Sequence, residues 1–266
     1  MKAVAALACA LLGAGAGEVL APSAWAEEAE RWHGPFGGTF NAQFTIASDY
    51  AQNGISNTQL QPAFQMGLDY KTPNLIDAFP LWIYLSGFGS NVQFAGFGPT
   101  AEIDAIGGVK AHFLDRKLGV DIGYIRYNYT DIPAELGYNY GEFNFGVNYD
   151  FDVVQLGGRL RFSPNSFGNS GNSWNKRALV SAPLTFLKTD TFRFKAYGAL
   201  GNYWVDNFQA FGLPSQDYWY WTVGVVTSAW GLDLTVAYTD TSIEMDGCGN
   251  TRQCAARGFV SITKAF

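Results

Sequence analysis

The chain has 266 residues, with 17 Lys plus Arg against 23 Asp plus Glu and a formal net charge of −6 at pH 7. That acidic balance, without any basic stripe, argues against a nucleic-acid partner, because like charges repel a phosphate backbone. Gly (31 residues) and aromatics (16 %) are plentiful, yet beyond the N-terminus no uncharged apolar run reaches the roughly 18 residues a membrane helix needs. A secreted β-protein or a transmembrane β-barrel is left.

The first predicted element is a leader. Lys2 precedes an apolar stretch from Ala3 to Gly17, and Ala24 and Ala26 occupy the −3 and −1 positions before Glu27-Glu28. This is the pattern of a secretory signal peptide spanning residues 1–26. A lipoprotein anchor at Cys9 would have only Lys2 to Ala8 ahead of it, too few residues for an apolar core. Cleavage removes Lys2 and Glu18 together, so the net charge is unchanged. Residues 27–38 then form an N-terminal periplasmic segment, where Pro35 and Gly37-Gly38 argue against order, and residues 39–266 form the barrel.

From there apolar residues recur at every second position in about twelve segments, the period of a strand with two unlike faces. They are Phe40–Tyr50, Phe64–Tyr70, Leu81–Gly89, Ala101–Phe113, Leu118–Tyr129, Glu142–Tyr149, Val153–Ser163, Ala178–Phe186, Thr191–Tyr203, Tyr218–Trp230, Leu232–Thr239 and Gly258–Phe266. In Glu142–Tyr149 the partition is complete, with Phe143, Phe145, Val147 and Tyr149 against Glu142, Asn144, Gly146 and Asn148. Most approach the roughly 9 to 11 residues that a tilted strand needs to cross a membrane.

Connections alternate in length, as in outer-membrane barrels with short periplasmic turns and long outer loops. Leu114–Lys117, Asp150–Asp152, Leu187–Asp190 and Trp230-Gly231 are short, Thr72–Phe79 is an overlong turn, and Thr130–Tyr140, Pro164–Lys176, Trp204–Gln216 and Asp240–Arg257 are long. Aromatics gather at segment ends: Tyr127, Tyr129, Tyr149, Phe162, Tyr203, Tyr218-Trp219-Tyr220-Trp221, Trp230 and Tyr238. That placement predicts girdles at headgroup depth, although aromatics also fill sandwich cores. Cys248 and Cys254 stand in the last long loop, and in an oxidising envelope they are expected to pair. A zinc site is disfavoured, since two thiols do not fill a tetrahedral shell and no histidine is near. The chain ends on a strand closing with Phe266, which looks like an assembly signal of outer-membrane barrels; Lys264 breaks its alternation and can snorkel.

In order along the chain, Ser48-Asp49-Tyr50 with Gly54-Ile55-Ser56, Ser90-Asn91 with Glu102-Ile103-Asp104, Gly123-Tyr124-Ile125-Arg126-Tyr127 and the Ser261-Ile262-Thr263-Lys264-Ala265-Phe266 ending resemble the proteobacterial TorF family of porin-like proteins, also catalogued by the Gcw_chp domain. The resemblance covers nearly all of the chain after its leader. It implies a barrel in the outer membrane and names no substrate. An Arg usually precedes Gly-Ile-Ser in that family; here Asn53 stands in its place, so no role of that arginine carries over.

If the apolar face meets lipid, the other face lines a lumen. Period 2 then assigns Asp49, Asp69, Glu102, Asp104, Asp121, Glu142 and Asp233 to an acidic wall, with Lys110 the exception in it, and Arg159, Arg161, Arg193 and Lys195 to a basic wall opposite. Such walls either set a transverse field or pair with one another and close the lumen. Neither His33 nor His112 stands in phase with a serine it could activate, which disfavours an enzyme. The Thr239–Asp246 loop lacks an ordered Ca²⁺ motif, and no nucleotide fingerprint is present. The sequence thus predicts an all-β, antiparallel up-and-down barrel of about twelve strands, carrying no cofactor and passing small polar solutes or ions. Its expected partners are outer-membrane lipid, lipopolysaccharide and the barrel-assembly machinery. A non-conducting adhesive or structural barrel and a secreted β-sandwich binding protein are the alternatives.

Overall fold

Strict alternation over ten or so residues, interrupted by Gly, Asn and Asp turns, leaves the chain one economical way to satisfy its backbone: neighbouring strands pair in order until the last meets the first. A computed structural model shows that closure and describes residues 32–94 and 98–266. Twelve antiparallel strands form the wall: β1 Thr39–Ala47, β2 Ala63–Lys71, β3 Leu81–Asn91, β4 Ala101–Phe113, β5 Leu118–Tyr129, β6 Tyr140–Asp150, β7 Gln155–Ser163, β8 Ser173–Pro183, β9 Arg193–Val205, β10 Asp217–Ala229, β11 Leu232–Thr241 and β12 Arg257–Ala265. Each pairs with its sequence neighbours, and β12 closes on β1 with Ser261 opposite Ala47 and Ala265 opposite Gln43. The predicted leader, residues 1–26, and the residues that follow it up to 31 lie outside the described residues.

The outer face carries an exposed apolar side chain on every strand, among them Phe44, Phe64, Leu85, Ile103, Ile122, Phe145, Leu160, Val180, Leu200, Val223, Val236 and Val260. A continuous apolar band of that kind on a closed sheet is stable only against lipid. Replacing Ile122, which is 60 % exposed near the middle of β5, with Arg is expected to destabilise the barrel by about 2–4 kcal/mol in lipid. Urea titration of vesicle-embedded protein reads the difference.

Two departures from the predicted strands matter for the interior. The eighth strand was expected at Ala178–Phe186 and is Ser173–Pro183. Pro183 has no N–H for the ladder, and Thr185–Leu187 turns as a short 3-10 segment instead. At the other end, the polar run Ser173-Trp174-Asn175-Lys176-Arg177 reads as loop but pairs residue by residue with β9, from Ser173 opposite Val205 to Arg177 opposite Gly201. The first strand stops at Ala47 rather than Tyr50, which frees Ser48–Pro62 for another purpose. The expected loose N-terminal segment is also partly ordered: Trp32-His33 pairs with Thr39-Phe40, and the Tyr70 hydroxyl donates to the Pro35 carbonyl at 2.6 Å.

One end of the barrel, the turn end, carries the connections 72–80, 114–117, 151–154, 184–192 and 230–231, and the other, the loop end, carries 48–62, 92–100, 130–139, 164–172, 206–216 and 242–256. Trp230 and Gly231 both have positive φ, as the two-residue hairpin between β10 and β11 requires. At the loop end the Asp131 carboxylate accepts from the hydroxyls of Thr100 (2.6 Å) and Thr130 (3.0 Å), latching the connection after β5 to the one before β4. Those hydrogen bonds hold the Asp131 carboxyl below its ordinary range. Its contribution is therefore complete above that range and lost as pH falls through the lowered value, so the protection of the Thr130 amide against hydrogen exchange, relative to its intrinsic rate at each pH, should fall only in acid.

Candidate functional site: the charged interior

The connection Ser48–Pro62 is the element that shapes the interior. It enters the barrel and makes a small hairpin, Ala51-Gln52 paired with Ile55-Ser56, whose tip residues Asn53 and Gly54 both have positive φ. Gly54 could carry no side chain, because a Cβ there would stand 2.5 Å from Thr241 Cγ2 and 2.9 Å from Tyr220 Cβ. The tip reaches the wall opposite its own strands: the Asn53 carbonyl accepts from the Tyr218 hydroxyl (3.2 Å) and its side-chain oxygen from Asn175 Nδ2 (2.8 Å). Asn175 is held in turn by the Tyr220 hydroxyl at 2.6 Å. β8 and β10 thus receive a segment that leaves the wall between β1 and β2, and it crosses the lumen to reach them.

Its base is pinned by charge. Asp49, expected on the first strand, sits in this inserted segment at 3 % exposure. It accepts from Arg257 Nε at 2.7 Å, from Ser56 Oγ at 2.5 Å and from Thr58 Oγ1 at 2.9 Å. Arg257 Nη1 also donates to the carbonyls of Gly54, Gln253 and Ala255, each at 3.1 Å. The Tyr50 hydroxyl donates to Glu102 Oε1 on β4 at 2.6 Å, and the Gln93 amide to the Asn57 carbonyl at 2.7 Å. The Ser-Asp-Tyr and Gly-Ile-Ser residues noted in the sequence are therefore the two arms of one inserted loop.

Around this loop every strand contributes an inward side chain that is nearly inaccessible, including Ala47, Ala63, Ser90, Glu102, Tyr127, Glu142, Ser163, Ser173, Tyr203, Tyr220, Thr241 and Phe259. Tyr127 donates to Glu142 Oε2 (2.9 Å) and accepts from Arg161 Nη1 (3.4 Å), with Arg161 and Glu142 ion-paired at 3.9 Å. Beyond that layer, rings from successive outer connections stack into a cover: Phe167 lies 4.2 Å from Tyr138, 5.8 Å from Phe94 and 5.7 Å from Phe211 by ring centres. The loop-end half of the interior is closed in this conformation.

The turn-end half is mixed: Lys110, His112 and Asp121 are nearly inaccessible, and other charges are not. Asp69, Arg159, Arg177, Arg193, Lys195 and Asp233 are only partly buried there, and pair on the inner face with polar neighbours. Asp69 lies opposite Asn41 and Ser86, the Ser228 hydroxyl donates to Asp233, and Lys110 and Asp121 are cross-strand partners, with Asn144 donating to Asp121. His112 is buried, stacked on Trp82 at 5.2 Å, its Nδ1 3.2 Å from the Arg116 carbonyl. His33 is exposed on the N-terminal hairpin.

Apart from Asp49, which stands on the inserted loop, the charges assigned by period 2 lie on the inner face of their strands, but they do not form two separate walls: Glu142 on β6 and Arg161 on the adjacent β7 are joined directly. Of the aromatics expected in girdles, Tyr127, Tyr129, Tyr203, Tyr218 and Tyr220 instead point inward and are nearly inaccessible. Outward aromatics do occupy both ends, as in Phe162 against Trp174 (4.5 Å) and Phe192 against Trp230 (5.3 Å). Arg177, Arg257, Asn175 and Thr58 carry no sequence signal of an interior role, and Ser56 stands out only as part of Gly54-Ile55-Ser56. Cys248 and Cys254 are joined, Cα atoms 6.1 Å apart, in the connection that also supplies the Gln253 and Ala255 carbonyls. Replacing both with Ser is expected to cost about 2 kcal/mol, as a short closed loop implies, and to raise protease sensitivity in residues 242–256 without preventing assembly.

Known proteins can be set against this geometry. A family profile described as "Bacterial protein of unknown function (Gcw_chp)" matches residues 31–266. The chain belongs to the Gcw_chp family. No curated protein shows detectable sequence similarity to it. Among solved structures, a membrane protein from work on in-meso crystallization aligns at TM-score 0.50 and 11 % identity, over 85 % of this chain and 83 % of its own. KdgM porin aligns at TM-score 0.49 and 8 % identity over 85 % and 98 %. Salmonella typhi OmpF, in complex with daunomycin, aligns at 0.44 and 10 % over 86 % and 97 %. At these identities the likeness concerns the barrel fold of this Gcw_chp protein and nothing finer.

Proposed function

We propose that this protein is an outer-membrane, porin-like channel for passive diffusion of small polar solutes or ions, exported by a cleaved leader, with its turn end in the periplasm. The observation that carries the reading is the inserted loop: a polar hairpin crossing a charge-lined barrel is a constriction, and its hydrogen-bonded seat gives it a position from which it can move. The partly exposed charges of the turn-end half would line a vestibule beneath it. Lipid and lipopolysaccharide would face the apolar band, and the barrel-assembly machinery would read the strand ending at Phe266. No enzymatic role is part of the reading.

A second reading, a non-conducting surface barrel, is favoured by one observation: all twelve strands contribute to the closed layer. Single-channel recording of purified protein in planar bilayers separates the two. Discrete conductance steps support the channel, and a silent bilayer holding heat-modifiable, folded protein supports the surface barrel. Recovery of the protein from the soluble periplasm would sink both.

A further inference from the structure

Three neighbouring strands, β7, β8 and β9, contain no Asp or Glu, yet carry Arg159, Arg161, Lys176, Arg177, Arg193 and Lys195. Of these only Lys176 is out of phase with the interior. Arg159 and Arg177 are direct cross-strand partners, and Arg161 stands two residues from Arg159 on the same face. Like charges placed opposite one another on a sheet oppose pairing. An acidic protein with net charge −6 nonetheless places five inward cations on three adjacent strands.

The arc is not uniform. Arg161 lies in the closed layer, matched by Glu142 and Tyr127. One step toward the turn end, the carboxylate near Arg159 is Asp121: a Cβ on Gly146 would lie 3.4 Å from Asp121 Cβ and 3.9 Å from Arg159 Nε. Asp121 is already opposite Lys110 and accepts from Asn144. The guanidinium carbon of Arg177 lies 5.9 Å from the centre of the Tyr220 ring, which backs the planar head at the level where burial becomes partial. Each of these side chains has partners within the barrel; what is uncommon is the ratio of cations to carboxylates, not a vacant guanidinium.

We infer that Arg159 and Arg177 form a binding site for small oxyanions, molecules bearing carboxylate or phosphate groups, at the floor of the turn-end vestibule. Two guanidinium forks on adjacent strands suit the planar or tetrahedral oxygens of such an anion, which would also relieve their mutual repulsion. Arg193 and Lys195, toward the turn end of β9, extend the same sign of charge along the way in. The site names a solute class for the proposed channel and in that sense rests on the channel reading.

The test uses the full barrel refolded in detergent and in bilayers, with inorganic phosphate and succinate as probes at constant ionic strength set by potassium chloride. Saturable binding of either probe is expected, seen as a raised thermal midpoint. R159Q/R177Q should weaken it by at least about tenfold, the equivalent of one lost charge-assisted hydrogen bond, whereas R126Q on the outer face should leave it unchanged. R177K, which keeps the charge and loses the fork, should fall between. In bilayers a potassium chloride gradient should give anion preference that R159Q/R177Q removes. Absence of any probe effect beyond chloride on the wild-type barrel overturns the site, as does undiminished binding by R159Q/R177Q. Probe binding by a barrel that never conducts keeps the site and overturns the channel; conduction with cation preference and no probe binding does the reverse.

Discussion

Replacing Arg257 with alanine is expected to destabilise the folded barrel by about 3–5 kcal/mol, because it leaves the buried Asp49 carboxylate without its cation. Ser56 and Thr58 would still donate to Asp49, but four hydrogen bonds of the guanidinium would be gone, three of them to carbonyls that tie the inserted loop to the connection before β12. The loss should therefore appear twice: as a lower midpoint in guanidinium unfolding from vesicles, and as larger or longer openings in bilayers as the loop leaves its seat. Arg257→Lys should recover part of the first effect and little of the second, since an ammonium holds one point where the guanidinium holds several. A variant with normal stability and conductance would show that the loop is kept in place by something else.

The second large effect is expected at Arg161. Changing it to Glu places a carboxylate against Glu142 and Tyr127 in the closed layer, where water cannot screen it. Destabilisation of about 3–5 kcal/mol or failure to assemble is expected, with partial recovery when Glu142 is changed to Gln in the same chain. Arg161→Met keeps the volume but leaves Glu142 buried with Tyr127 as its hydrogen-bond partner, so it should be costly too, and Arg161→Met with Glu142→Gln should be the mild variant. If Arg161→Glu folds normally and only shifts ion preference, the layer is wet and the pore is open at that level.

Much of the architecture was legible because alternation of apolar and polar residues determines which face meets lipid. Glu142–Tyr149 announces its two faces without any structural help. The eighth strand was shifted because its first residues are polar on both sides of the period, and a polar run reads as loop unless the inner face is known to be charged; Arg177 was missed with it. The inward tyrosines were misplaced for the opposite reason. Tyr127 shares phase with Asp121, and Tyr203 with Lys195, so the period that put those charges inside also puts the rings inside. Position near a strand end was given more weight than parity, and parity decides. The inserted loop had no periodic signal at all. Ser56, Thr58 and Arg257 act through contacts between residues up to 208 apart in sequence, and no local pattern reports those.

That long separation has a kinetic meaning. Asp49 belongs to the first connection and Arg257 opens the last strand, and the two are brought together only when β12 pairs with β1. A nascent or partly zipped sheet lacks the Arg257 anchor of the loop, although the contacts to Glu102, Tyr218 and Asn175 do not depend on it. Full seating of the loop is thus expected only once the ring is complete. A barrel halted one strand short would lack the Asp49–Arg257 pair, which distinguishes the finished protein from its unfinished forms.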